Sequence, residues 1–432
     1  MQDMLSLAII WSGVFFSYYF AEKTKLTAVL YFLAFGCLMV NFGILPETSS
    51  EFIRGFSELG IILIMFALGF EENTGNFIKG IKRSWGIALF GALAPFAAAY
   101  CVSIYFFEDV RIAIMCSLAM TATAVSLTMV SLKSENLQST RAATGIMTSA
   151  ILDDIGSLAA VAIIVPLATG DAEFSAYGIL FILFKASLFF IFISLLELFI
   201  FPHKSHLRIF DLFPFLRTFG IKGILSFSRG EHSTLSVLLI ALIISLISHE
   251  FGFHPAVGAY MAGLIIKQDY FFFHDHPNTD YYDQTKKIVD NVAFSWIGPV
   301  FFVELGTKIV FDQSILISVI PHIIAMTVAL LVAQILSASL AARFTGDFEW
   351  YESIMIGFGM LGRAELAFVV MDIGYVQHDI ISTKAFYTLM ATAFILNTTV
   401  PISIKMWKPY FIGDKRLSIK LLNKTITLSK TN

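Results

Sequence analysis

The chain has 432 residues, 57% of them hydrophobic and only 14% charged, with a mean hydropathy of +0.78. That little charge cannot cover a water-soluble surface, which excludes a soluble enzyme or a nucleic-acid-binding domain and points to an all-α polytopic membrane protein. The net charge of −3 says nothing about partners; the distribution of charge along the chain is more informative.

Apolar runs long enough to cross about 30 Å of hydrocarbon recur from end to end. They are expected at 4–20, 26–45, 57–71, 85–107, 112–132, 142–168, 177–201, 233–248, 253–266, 288–307, 314–342, 352–376 and 384–404. The first begins almost at Met1 with no basic flank or small-residue cleavage site, so it reads as a retained span rather than a signal peptide. Cys37, Cys101 and Cys116 all fall in apolar runs and read as small hydrophobes, not as a disulfide framework. Segment 202–232 reads as a basic cytoplasmic linker, with an interfacial amphipathic helix as the alternative, and 405–432 as a basic cytoplasmic tail.

Basic residues test this arrangement. With thirteen spans and a cytoplasmic C-terminus, twenty-three of the 29 Lys and Arg residues fall on the inside, while Arg54, Arg111, Lys308 and Lys384 fall outside. Such a positive-inside bias predicts an external N-terminus in a cell membrane, bacterial inner membrane by type. Lys185 and Arg363 remain within spans; Lys185 is expected to snorkel or to pair with Glu197.

The sixth span holds "TSAILDDIGSLAAVA", with Asp153 and Asp154 adjacent and no other charge between Arg141 and Asp171. At 1.5 Å per residue, Asp153 lies about 18 Å past Arg141, near the bilayer midplane. One carboxylate there costs at least about 2.5–3.5 kcal/mol, so two call for a function: a cation or proton site reached by water. The structural alternative is a helix break in which the acids cap a half-helix.

Two further features belong with it. Hydroxyls cluster in the fifth span, "MTATAVSLT" (120–128), and glycines loosen the twelfth, "GFGMLGRAEL" (357–366), which also carries Arg363 and Glu365. Interrupted spans at corresponding places of two halves predict an inverted-repeat transporter, with spans 1–6 and 8–13 as halves and span 7 as connector. For Arg363 and Glu365 a structural ion pair is the competing reading. Glu304, in "FFVELG", is either a further membrane acid or an exposed residue at the outer end of its span.

On "ELGIILIMFALGFEENT", "GFHPAVGAYMAGLII", "PVFFVELGTKI" and "GMLGRAELAFVV", together with "ILDDI", the chain resembles the monovalent cation–proton antiporter superfamily, in its thirteen-span Na+(K+)/H+ exchanger branch. The blocks fall in family order and cover nearly all the chain except its C-terminal tail. The resemblance implies a core domain in which the unwound fifth and twelfth spans cross beside the sixth, and a second domain that forms a homodimer in the lipid bilayer. It makes Asp154 the main carrier of cation and proton, with Asp153 beside it and Thr121 and Thr123 near the ion. It implies transport rather than enzymatic catalysis, with no resident cofactor and with Na+ (or K+) and H+ as cargo. Electrogenic relatives carry a Lys nine residues before the basic end of the eleventh span. Counting back from Arg343 gives Gln334, so the cationic partner expected for Asp153 is missing. Electroneutral relatives usually have Asn at the first acid, yet Asp153 is an acid here, and the stoichiometry stays open.

Three rival readings fit less well. An intramembrane aspartyl protease needs two acids facing one water, whereas adjacent residues of a helix splay about 100° apart. An anion symporter would be repelled by two carboxylates. A ligand-gated potassium efflux subunit is the remaining alternative and would need a separate regulatory chain, since no GxGxxG follows the last span. His274, Asp275 and His276 could bind a metal but read as a solvated loop. His254 reads either as a pH sensor or as a satisfied core histidine.

Overall fold

The computed structural model describes residues 2–24, 26–71, 74–137, 139–169, 221–225, 232–251, 253–271, 281–310, 312–415, 418–421 and 424–427, with 184–185, 187–189, 191–193 and 195–196. Helices dominate them: α1 (Gln2–Thr24), α2 (Ala28–Asn41), α3 (Glu51–Glu71), α4 (Thr74–Phe107), α5 (Val110–Ala119), α6 (Val125–Ser134), α7 (Arg141–Thr169) and the short α8 (Ile221–Leu225). They continue with α9 (Ser233–Glu250), α10 (Pro255–Ile265), α11 (Tyr281–Asn291), α12 (Gly298–Gly306), α13 (Gln313–Phe344), α14 (Trp350–Gly359), α15 (Glu365–Asp372) and α16 (Thr383–Ile412). Among the described residues, eight helical stretches are long and apolar enough to cross a membrane, and α2, α5 and α10 are shorter apolar helices. The fold is that of a polytopic all-α membrane protein.

Twelve of the thirteen expected spans coincide with these helices. The seventh, 177–201, lies mostly outside the described residues, as do Glu197, most of 202–232, and the His274–His276 stretch. The helices overrun their apolar cores: α3 starts at Glu51, α4 at Thr74, and α11 at Tyr281, joined to α12 by a π turn at Val292–Trp296. Hydropathy marks the hydrocarbon-spanning part, while backbone hydrogen bonding carries a helix on through its polar ends. The last helix likewise runs to Ile412 rather than ending near 404. Its final turns are anchored: Trp407 Nε1 donates to the Tyr351 carbonyl, and Lys408 pairs with Glu135 at 2.9 Å. Beyond it the tail departs from an all-helical chain. Strands β1 (Ser418–Leu421) and β2 (Lys424–Thr427) pair antiparallel, Ser418 opposite Thr427, in a stretch rich in β-branched residues.

The chain divides into two compact units, one made of 1–16, 32–74 and 170–308, the other of 17–31, 75–169 and 309–432. In the first, α3 and α10 cross at reciprocal glycines. A Cβ at Gly69 would overlap the Tyr260 carbonyl, and one at Gly263 the Phe66 carbonyl. Lipid tails are as apolar as Leu, so close backbone approach rather than hydrophobic expulsion holds such a crossing together. Glu304 lies in this unit and is not exposed. It is buried beside a cavity of about 250 Å³ shared with Asp3, Ser6, Ser50 and Thr307, and it pairs with Lys308 at 3.5 Å. Helix α12 places it one turn from Lys308, whose ammonium also donates to the Glu47 carbonyl. His254 caps α10, its Nδ1 accepting from the Ala256 N–H, which gives this residue a structural role.

In the second unit, α13 packs on α14 and α16, and α7 packs on α5, α6 and α14. Small residues line these contacts, with Ala142, Ala143, Ile146 and Ala150 of α7 in one apolar cluster with Met355, Ile356 and Met360.

Candidate cation and proton site

The site is built where two helices of the second unit are interrupted. Helix α5 ends at Ala119, capped by Met120, and α6 starts at Val125; α14 ends at Gly359, capped by Met360, and α15 starts at Glu365. Both helix ends have the same backbone conformation, φ −92° and ψ 11° at Met120, φ −91° and ψ 7° at Met360. Each break is five residues, Met120–Ala124 and Met360–Ala364, and the two cross antiparallel. Ala124 N donates to the Gly362 carbonyl at 3.0 Å, and Ala364 N to the Ala122 carbonyl at 3.5 Å. The paired residues are Thr123 and Arg363, each the third after its methionine. Equivalent positions therefore meet, and the crossing has a local two-fold relation. Extended backbone at this depth survives because protein groups satisfy it.

The groups that do so are also related in pairs. On one side Asp153 of α7, 2% exposed, accepts at Oδ2 from both the Thr123 N–H (3.1 Å) and the Thr123 hydroxyl (2.8 Å). On the other, Asn397 of α16 accepts at Oδ1 from the Arg363 N–H (2.6 Å) and donates from Nδ2 to the Arg363 carbonyl (3.2 Å). Asn397 is thus the counterpart of Asp153 across the crossing. Thr128 of α6 ties the two breaks together, its hydroxyl donating to the Gly359 carbonyl at 2.6 Å.

Arg363 is 1% exposed and takes the place beside Thr123 that the backbone pairing assigns it. Its Nη2 donates to Gln334 Oε1 at 3.2 Å, and Gln334 Nε2 donates to the Gly91 carbonyl of α4 at 3.0 Å. Arg363 Nη1 donates to the Gly362 carbonyl of the second break at 3.4 Å. Among the described residues Arg363 makes no close ion pair; its charge acts on Asp153 across the crossing.

Asp153, Thr123, Arg363 and Gln334, all expected at the site, converge on the crossing. Gln334 replaces the expected Lys in position but addresses Arg363, not Asp153. Thr121 is buried just beyond α5 and its hydroxyl donates to the Ser117 carbonyl at 2.8 Å. Asp154 is half-buried on α7, one residue and about 100° around the helix from Asp153. Glu365 is half-buried at the first position of α15. Asn397 was not foreseen. Its signal was a lone amide within the apolar run "AFILNTTV", a costly residue in hydrocarbon unless paired.

Two crossed, interrupted helices with a buried acid held on their unwound backbone define a class: a secondary transporter of the interrupted-helix type. The comparisons agree. The family model described as the transmembrane sodium/hydrogen exchanger matches residues 11–407, and the chain belongs to that family. Its activity is exchange of a cation for protons across a membrane. The chain is 28% identical to the probable Na+/H+ antiporter GerT of Bacillus cereus over 74% of this chain and 77% of that one. It is 25% identical to the Na+/H+–K+ antiporter GerN of the same organism, over 86% of each. The solved structure of the sodium proton antiporter MjNhaP1 from Methanocaldococcus jannaschii superposes with a TM-score of 0.63 at 16% identity, covering 94% of this chain and 95% of that one, a likeness of fold.

Proposed function

We propose that this protein exchanges one Na+ for one H+ by alternating access, with Asp154 as the group that carries either cargo. GerT and GerN are both described as sodium antiporters, GerN with potassium as well, which supports Na+ as a cargo. The observation that carries the reading is the unequal treatment of two adjacent acids. Asp153 is locked onto Thr123 and buried, while Asp154 is half-buried on a neighbouring face of α7. A fully buried acid is suited to structure, and a partly exposed carboxylate to picking up and releasing cargo.

Two carboxylates side by side in a low dielectric do not both stay charged cheaply, and one keeps its proton. Asp153 is the one placed to do so. Its counterpart Asn397 accepts from one backbone N–H and donates to the carbonyl of the same residue. A protonated Asp153 offers one donor and one acceptor, as an amide does, so its unpartnered Oδ1 can bear the proton while Oδ2 accepts from Thr123. Asp154 alone then cycles. Loaded with a proton or a cation it is close to neutral and can cross the barrier; empty it is charged and cannot. That rule is sufficient for coupling. Hard monovalent cations take oxygen ligands, here a carboxylate, hydroxyls, freed carbonyls and water.

The distribution of Lys and Arg supports an external N-terminus and a cytoplasmic C-terminus in a bacterial inner membrane. The protein works as a homodimer embedded in lipid. Proteoliposomes under an imposed pH gradient test the reading: Na+ added outside drives saturable proton flux. Flux with K+ alone would change the cargo, and flux with no monovalent cation would overturn exchange at Asp154.

A further inference from the structure

We infer that Ser157 is a cation-contacting residue, an oxygen ligand that α7 places between its two aspartates and that sets affinity for the transported cation. The inference rests on the exchange reading above and adds a ligand to it.

Four described hydroxyls lie along α7, and three of them fold back onto their own helix. Thr144 donates to the Thr140 carbonyl, Thr148 to Thr144, and Ser149 to Gly145, at 3.4, 2.9 and 2.7 Å. This is the usual fate of a hydroxyl in an apolar helix. Ser157 does not follow it. It is 3% exposed, and among the described residues its Oγ has no hydrogen-bond partner. Buried polar groups are normally partnered, so an unpartnered hydroxyl beside the two acids calls for an explanation.

Helix geometry supplies one. Taking Asp153 as 0°, Asp154 lies at about 100° and Ser157 at about 40° around the axis, one turn on. Ser157 is i+4 from Asp153 and i+3 from Asp154, so it shares a face with both. The related position one turn before, Ala150, offers no oxygen. Among the described residues, three other hydroxyls of this region are committed: Thr121 to Ser117, Thr123 to Asp153, Thr128 to Gly359. Asp153 Oδ2 is turned to Thr123, while Asp153 Oδ1 and Ser157 Oγ have no partner among the described residues, so the cargo on Asp154 has both within a turn of α7. A neutral oxygen beside a carboxylate is what a dehydrated alkali cation needs, since it replaces a hydration water without adding charge.

The test compares wild type, Ser157→Ala and Ser157→Thr in proteoliposomes, reading the Na+ KM and kcat at one fixed pH. A charged-group contact of ordinary strength predicts a KM about tenfold or more higher for the Ala variant, with kcat within about twofold, and near-wild-type KM for Thr. A purely structural role would lower kcat or yield without moving KM alone. An unchanged KM in Ser157→Ala, in a preparation where wild type exchanges Na+ for protons, overturns the inference and leaves the exchange reading standing. Failure of wild type to exchange any cation overturns the reading instead. Should the Ala variant not reconstitute, Ser157→Cys replaces it. Na+ then slows modification of the introduced thiol by a small thiol reagent, followed by mass spectrometry of its peptide; equal rates with and without Na+ overturn the inference.

Discussion

Replacing Asp153 separates its proton-bearing role from a charged one. Asp153 accepts two hydrogen bonds from Thr123, and the Thr123 backbone N–H sits in extended chain with no helical partner. Asp153→Ala strands that N–H in a buried crossing, at about 1–3 kcal/mol. The lost hydroxyl bond between helices adds about 0.6 kcal/mol on the membrane scale. The Ala variant is therefore expected to lose about 2–4 kcal/mol and to melt earlier in detergent. Asp153→Asn keeps both acceptor bonds at one oxygen and puts a donor where the proton of Asp153 would be, as in Asn397. It should melt within a few degrees of wild type and exchange at a similar rate. Thermal melting and Na+-driven proton flux are measured on the same preparations. An Asn variant as unstable as the Ala variant, or folded but inactive, would refute a protonated Asp153.

Asp154→Asn should fold as wild type does and lose exchange; proton flux at the wild-type level would remove Asp154 as carrier. The apparent Na+ KM should rise as pH falls, because proton and cation compete for one carboxylate, and a KM constant across pH with only kcat changing would mean separate sites. Asn397→Ala unclamps both the N–H and the carbonyl of buried Arg363 and is expected to cost about 2–4 kcal/mol, read as a drop in melting temperature; an unchanged melting point would show that the crossing holds without its amide.

Much of this architecture was legible from residue chemistry. Charges inside hydrocarbon are expensive enough to stand out, so Asp153, Asp154 and Arg363 announced the sixth and twelfth spans. The breaks were legible too, because "MTATA" and "GMLGRA" supply the hydroxyls and glycines that unwound backbone requires. Partnership was not. Gln334 sits where a Lys was expected, yet it bridges Arg363 and Gly91, joining α13, α4 and the second break in a contact that no local pattern encodes. Thr121 and Thr123 look interchangeable in sequence. Only the helix end at Met120 decides that the first still lies within reach of an α5 carbonyl while the second faces α7. Glu304 could be read as exposed because hydropathy locates a span's end but not the chain packed over it. Loops and termini, drawn in from 2–6 and 45–53, enclose it.

The central claim is that one carboxylate, Asp154, carries either one proton or one cation, with Asp153 holding its proton throughout. Charge movement tests it most directly. On a solid-supported membrane, proteoliposomes given a Na+ step should exchange Na+ for protons without a sustained current, and an ionophore that collapses membrane potential should leave the rate unchanged. A sustained current with a reversal potential fitting two protons per Na+ would contradict the account, because both aspartates would then have to release their protons in each cycle.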